Sequence, residues 1–146
     1  ERSFKDILQD ALSSGVPLAV MMLDMDDFKG INDTFGHAKG DEALVALADI
    51  LTSSVRSVDI VSRWGGDEFF VILTRADRAA ADRVIRRIHG GADSLTLLMP
   101  DKRTVGLSIG VTLSRPHDTP ESIFQRADEA LYESKRTVGK NSVTYR

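Results

Sequence analysis

Hydrophobic residues recur along the chain in two rhythms, one of strands and one of helices. Pro17 to Leu23 (PLAVMML) and Phe69 to Leu73 (FFVIL) are almost wholly apolar, which suits strands buried on both faces. Thr104 to Leu113 alternates instead, with Val105, Leu107, Ile109 and Val111 on one side and Gly106, Ser108 and Gly110 on the other. Ile60 to Trp64 and Ser94 to Met99 are shorter strand candidates, and Ser142 to Tyr145 can add an edge. The segments either side of Gly65-Gly66-Asp67-Glu68 are close enough in sequence to form one antiparallel hairpin. Elsewhere the period is helical. Between Asp41 and Val55, Leu44, Leu47, Ala48, Leu51 and Val55 fall on one helix face. A second helix over Asp77 to His89 places Ala81, Val84, Ile85 and Ile88 inward, and Gly90-Gly91 reads as its stop. A third takes Thr119 as N-cap and Pro120 at its first position, with Ile123, Ala127, Ala130 and Leu131 inward. Phe4, Ile7, Leu8 and Leu12 predict an N-terminal helix. The alternation predicts an α+β domain of two layers around a largely antiparallel sheet.

Composition narrows the function classes. A chain of 146 residues is the size of one domain and can bury a core without disulfides or structural metal. Its 19 Lys and Arg against 22 Asp and Glu leave a net charge of −3, which argues against nucleic acid as a partner. The absence of cysteine excludes disulfides, thiolate metal sites and cysteine nucleophiles. The longest apolar run, Val16 to Leu23, contains Pro17 and falls far short of the roughly 20 residues of a membrane helix, so no membrane contact by this domain is expected. The abrupt start at Glu1 reads as a domain excised from a longer protein.

Three carboxylates, Asp24, Asp26 and Asp27, follow the first apolar strand, and strand geometry puts Asp24 and Asp26 on one face. Asp67 and Glu68 lie in the Gly-Gly turn of a second strand that can run beside it. Two carboxylates ~4 Å apart repel by about 4 kcal/mol at an effective dielectric near 20, so a fold that gathers them calls for a cation or a retained proton. The set offers only oxygen ligands, which suit Mg²⁺ or Mn²⁺ better than zinc. These residues point to metal-dependent phosphoryl or nucleotidyl transfer; the alternative is an exposed turn in which the glycines merely supply positive φ.

The run from Asp24 to Glu42, with RWGGDEF at 63 to 69, closely resembles the GGDEF family of diguanylate cyclases, which join two GTP into cyclic di-GMP and release two pyrophosphates. The resemblance covers nearly the whole chain. Arg2-Ser3-Phe4 looks like the end of the family's N-terminal Asn-Arg-Arg segment, SIGV at 108 to 111 is similar to a signature strand, and RADEALYESK at 126 to 135 matches its last helix. It implies a palm-like fold related to adenylate cyclases and ferredoxin-like domains, with a mostly antiparallel five-stranded sheet flanked by helices. It also implies site roles. Asp24, the Met25 carbonyl and Asp67 are the expected ligands of Mg²⁺ or Mn²⁺, two ions per catalytic site, and Glu68 is the second catalytic carboxylate, either assisting the metals or deprotonating the attacking 3′-hydroxyl. Asn32 and Asp41 match the guanine readers; a carboxylate accepts from guanine N1–H and N2–H₂, which adenine lacks on that edge. The amides of Asp27, Phe28 and Lys29, with Gly65, Gly66, Lys135 and Lys140, correspond to the phosphate-binding set. Counted from Lys135, the final Lys-Arg-Thr-Val-Gly-Lys run is longer by one residue than the family's Lys-x-x-Gly spacing; counted from Arg136 it fits.

Because each such domain holds one GTP, the resemblance implies a two-fold homodimer with facing sites. It further implies a bacterial, cytoplasmic domain whose parent can carry a sensor and a membrane anchor. Arg56-Ser57-Val58-Asp59 stands at the family's spacing for an inhibitory cyclic di-GMP site, where arginine grips guanine O6 and N7; alone, an R-x-x-D is a surface ion pair. The competing function is a silent GGDEF-type domain that binds cyclic di-GMP or GTP and signals through a partner.

Overall fold

The apolar runs become strands longer than their apolar cores. In the computed structural model, which describes residues 3–137 and 141–146, β1 (Leu18–Met25) is buried at every position and carries Asp24 inside its ladder. It is flanked by β3 (Glu68–Thr74) and β4 (Leu107–Leu113), both antiparallel to it. The hairpin partner β2 (Ile60–Gly65) lies outside β3, and β5 (Val143–Tyr145) pairs in parallel with β4, giving the order β2-β3-β1-β4-β5. Five strands, mostly antiparallel, are what the family resemblance implied.

Helices cover the sheet on both faces. Ala19, Met21, Leu23 and Met25 of β1 point into one core with α3 (His37–Ser54) and α4 (Arg78–Leu98). Leu18, Val20 and Met22 point into the other, with α1 (Phe4–Ser13) and α5 (Pro120–Arg136). The two-layer expectation is therefore corrected to a sheet sandwiched between helices, the arrangement that uninterrupted apolar strands require. A short helix, α2 (Phe28–Phe35), leads from β1 into α3.

The predicted stop at Gly90-Gly91 and the strand at Ser94 to Met99 are also corrected. One helix, α4, runs through both, because Ala92 and Leu95 continue the buried stripe of Ala81, Val84, Ile85 and Ile88. Gly91 is a packing glycine: a β-carbon there would meet Ile50 Cγ2 of α3 at 2.6 Å. No helix among the described residues is long and apolar enough to cross a membrane. Arg2 and Lys140, each part of a family-like motif, lie outside the described residues.

Candidate active site

Asp24 stands near the end of the central strand, directly opposite Glu68 of β3 on one side and Ser108 of β4 on the other. Like charges placed opposite each other on neighbouring strands oppose folding, so this pairing serves something other than stability. Asp24 is 3% exposed, and among the described residues its Oδ1 has no hydrogen-bond partner. Burial pushes its carboxyl up to about 6; contact with Lys135 works against that rise, and the charges of Asp67 and Glu68 add to it. The ammonium of Lys135, from the last turn of α5, sits against Asp24 Oδ2. Its own pKa is raised: burial opposes the charge, but Asp24, with Glu68 and Asp67, outweighs it. Asp26 leaves the strand on the same side, where Ser108 Oγ donates to it.

Around these groups lies a cleft lined by Asp24, Met25, Asp27, Lys29, Asp67 and Lys135. Here α2 starts without a side-chain cap, and its N-cap Asp27 holds a left-handed conformation, φ 55°, uncommon for a non-glycine residue. The first-turn N–H groups of such a helix have no partner within it and, with the helix dipole, favour an anion. Lys29 also lines the cleft, but its ammonium pairs with Asp33 at 2.8 Å. Opposite, Gly66 takes φ 52°, and Arg63 clamps its carbonyl through Nε at 2.9 Å and Nη2 at 2.5 Å. Among the described residues no three His, Cys, Asp or Glu side chains form a group able to hold a metal ion by themselves. The donor set nevertheless fits a hard cation: an unsatisfied buried carboxylate oxygen, two further acids and an all-oxygen first shell that substrate and water can complete.

The predicted base readers are not in that cleft. Asp41 is exposed at the start of α3, in a groove shared with Leu44, Val45, Val61, Arg63 and Phe69. Asn32 lies on α2 with its Oδ1 buried and, among the described residues, unpartnered. Arg63 borders the Asp41 groove while holding the Gly-Gly turn.

Arg56 and Asp59 form a tight unit away from the cleft. Asp59 accepts from Arg56 N (2.9 Å), Nε (3.2 Å) and Nη2 (3.1 Å) and from Thr74 N (3.1 Å), tying the end of α3 to β3. A second cleft beside them is rimmed by Arg56, Arg75, Arg83 and Arg87. Sequence reasoning did not single out the last three. The i,i+4 spacing of Arg83 and Arg87 on the polar side of α4 was the available signal.

A family model described as "Diguanylate cyclase, GGDEF domain" matches residues 1–141. The chain belongs to the GGDEF family. This GGDEF domain is 40% identical over 142 residues to Diguanylate cyclase DosC of Escherichia coli (strain K12), a match covering 96% of the chain and 31% of DosC. It is 39% identical over 141 residues to Response regulator PleD of Caulobacter vibrioides (strain NA1000 / CB15N), covering 94% of the chain and 31% of PleD. The chain thus spans about a third of the length of these curated relatives. Among solved structures, the GGDEF domain of DgcB from Caulobacter crescentus in complex with c-di-GMP superposes with a TM-score of 0.88 at 31% identity, covering 97% of this chain and 87% of that one.

Proposed function

We propose that this GGDEF domain is a diguanylate cyclase, condensing two GTP into cyclic di-GMP and two pyrophosphates. The observation that carries the reading is the cleft in which buried, part-unsatisfied Asp24 meets the charges of Asp67, Glu68 and Lys135 beside the uncapped start of α2. Relatives named as diguanylate cyclases, and a structural neighbour holding c-di-GMP, support it.

Asp24, the Met25 carbonyl and Asp67 would hold Mg²⁺ or Mn²⁺, two ions per site. When bound, the metal neutralises triphosphate charge and polarises the α-phosphorus. The chain's own groups do the rest. The amides of Asp27, Phe28 and Lys29 receive the phosphates, Gly65 and Gly66 let the backbone approach them, and Lys135 and Lys140 add positive charge. Glu68 takes the proton of the attacking 3′-hydroxyl. That oxygen bonds to the α-phosphorus of the other GTP, the α–β phosphoanhydride bond breaks, and pyrophosphate leaves with the electron pair. Asn32 and Asp41 read guanine. Because both phosphodiester bonds form this way, the working unit is two copies with facing sites. Cyclic di-GMP also binds the arginine-rimmed cleft at Arg56 and Asp59, where it inhibits.

The test is to fuse the domain to a dimerising coiled coil, supply GTP and Mg²⁺, and separate the products by chromatography. Cyclic di-GMP is expected, and Asp67→Ala abolishes it. GTP binding without product would instead identify a silent domain that signals through a partner.

A further inference from the structure

Position 40 carries a feature that neither metal nor phosphate binding uses. Gly40 is buried in α3 where that helix crosses α2. An added β-carbon would lie 1.9 Å from Asn32 Oδ1, 3.0 Å from its Cγ and 3.2 Å from Phe28 Cζ. The Asn32 amide therefore lies directly over the bare Cα of residue 40. Its Oδ1 is buried and, among the described residues, makes no hydrogen bond, so that oxygen is seated against residue 40 by packing rather than by a polar partner of its own. The next residue along α3 is Asp41. One turn thus fixes both proposed base readers, Asp41 by bond and Asn32 by fit.

We propose that Gly40 is a positioning residue for base selection: lacking a side chain, it seats Asn32 at the register with Asp41 that guanine recognition needs. The inference rests on the guanine-reading role of Asn32 and Asp41. Any β-carbon at residue 40 displaces the Asn32 amide by about an ångström or more, since real contacts closer than 3.0 Å essentially do not occur. A site built to pair with specific N–H groups loses discrimination steeply when its polar groups are misplaced.

The experiment measures equilibrium binding of the α,β-methylene analogues of GTP and ATP, with Mg²⁺, to four chains: wild type, Gly40→Ala, Asn32→Ala and the double variant. Gly40→Ala is expected to weaken the guanine analogue about tenfold and to leave the adenine analogue within twofold. In the Asn32→Ala background the same change should cost less than twofold, because the group it collides with is gone. An equal loss in both backgrounds would mean that residue 40 acts through helix packing alone, and the inference fails. Should Gly40→Ala not fold, recovery of folding in the double variant upholds the collision, and its failure to fold overturns it. A wild-type chain that binds both analogues alike sinks the guanine reading itself. Selectivity that survives Gly40→Ala sinks only this inference.

Discussion

Glu68 and Arg56 are the residues at which the proposed chemistry is most exposed to test. Glu68 faces Asp24 across the β1–β3 ladder, close enough to share its field. The proton-acceptor role proposed for it would act on turnover more than on binding. Glu68→Gln keeps shape and removes basicity, so kcat is expected to fall by about 10²–10⁴ with GTP affinity little changed; a purely structural Glu68 would move KM and the melting temperature instead. Arg56→Ala should raise the concentration of cyclic di-GMP needed for half-inhibition tenfold or more. Because Arg56 also holds Asp59 and the Thr74 carbonyl, the same variant should melt earlier, so inhibition is best compared at temperatures where both proteins are folded. The acids of the cleft were legible in sequence because Asp24 follows an apolar strand and Asp67 and Glu68 follow two glycines. The contact of Asp24 with Lys135 was not, since it joins the central strand to the far end of α5. Nor was the seat of Asn32 on Gly40, a through-space fit with no residue-type signature.

The paired glycines of α4 show how element-scale reading fails and how it can be checked. Adjacent glycines look like a helix stop, yet here they differ in purpose. Gly90 is exposed, and a β-carbon there would meet nothing within 4 Å, whereas one on Gly91 would run into Ile50 at 2.6 Å. Gly90→Ala should therefore stabilise the domain by up to ~1 kcal/mol through helix propensity. Gly91→Leu should destabilise it by about 1–3 kcal/mol by forcing α3 and α4 apart. Urea unfolding of both variants measures the difference, and opposite signs are expected. The strands, α3 and α5 were legible because pattern and burial agree in them: Leu44, Leu47 and Leu51 are all buried as the period predicts, and Thr119 caps α5 in a reciprocal box with Ser122. Coverage of the sheet's second face was implicit in the unbroken apolar runs of β1 and β3, but which helices supply it is decided by tertiary packing.

For the molecule as a whole, acid should separate two carboxylates whose environments push in opposite directions. Asp118 accepts from Arg126 Nη1 at 2.6 Å and Nη2 at 2.8 Å, from Ser122 Oγ at 2.7 Å and from Arg115 N at 2.7 Å. Arg126 in turn donates to Thr112 Oγ1 and the Leu113 carbonyl, so the unit pins the start of α5 to the end of β4. The Arg126 guanidinium, despite some burial, holds the Asp118 carboxyl down at about 2 against an ordinary 3.8. A depressed carboxyl contributes stability that is full above its unfolded pKa and is lost as pH falls through the folded one. The window is therefore pH 3.8 to about 2, and the contribution lost is about 2 kcal/mol. Asp24, raised to about 6, works the other way: its ionised form is the costly one, and protonation relieves that cost as pH falls from about 6. The net acid curve mixes both, so the decisive quantity is the difference between wild type and Asp118→Asn. Unfolding followed by the fluorescence of the single tryptophan, Trp64, should show the variant less stable at neutral pH and the gap closing between pH 4 and pH 2. A gap that stays constant through that range would mean that Asp118 holds α5 by hydrogen bonding alone, without the charge of Arg126.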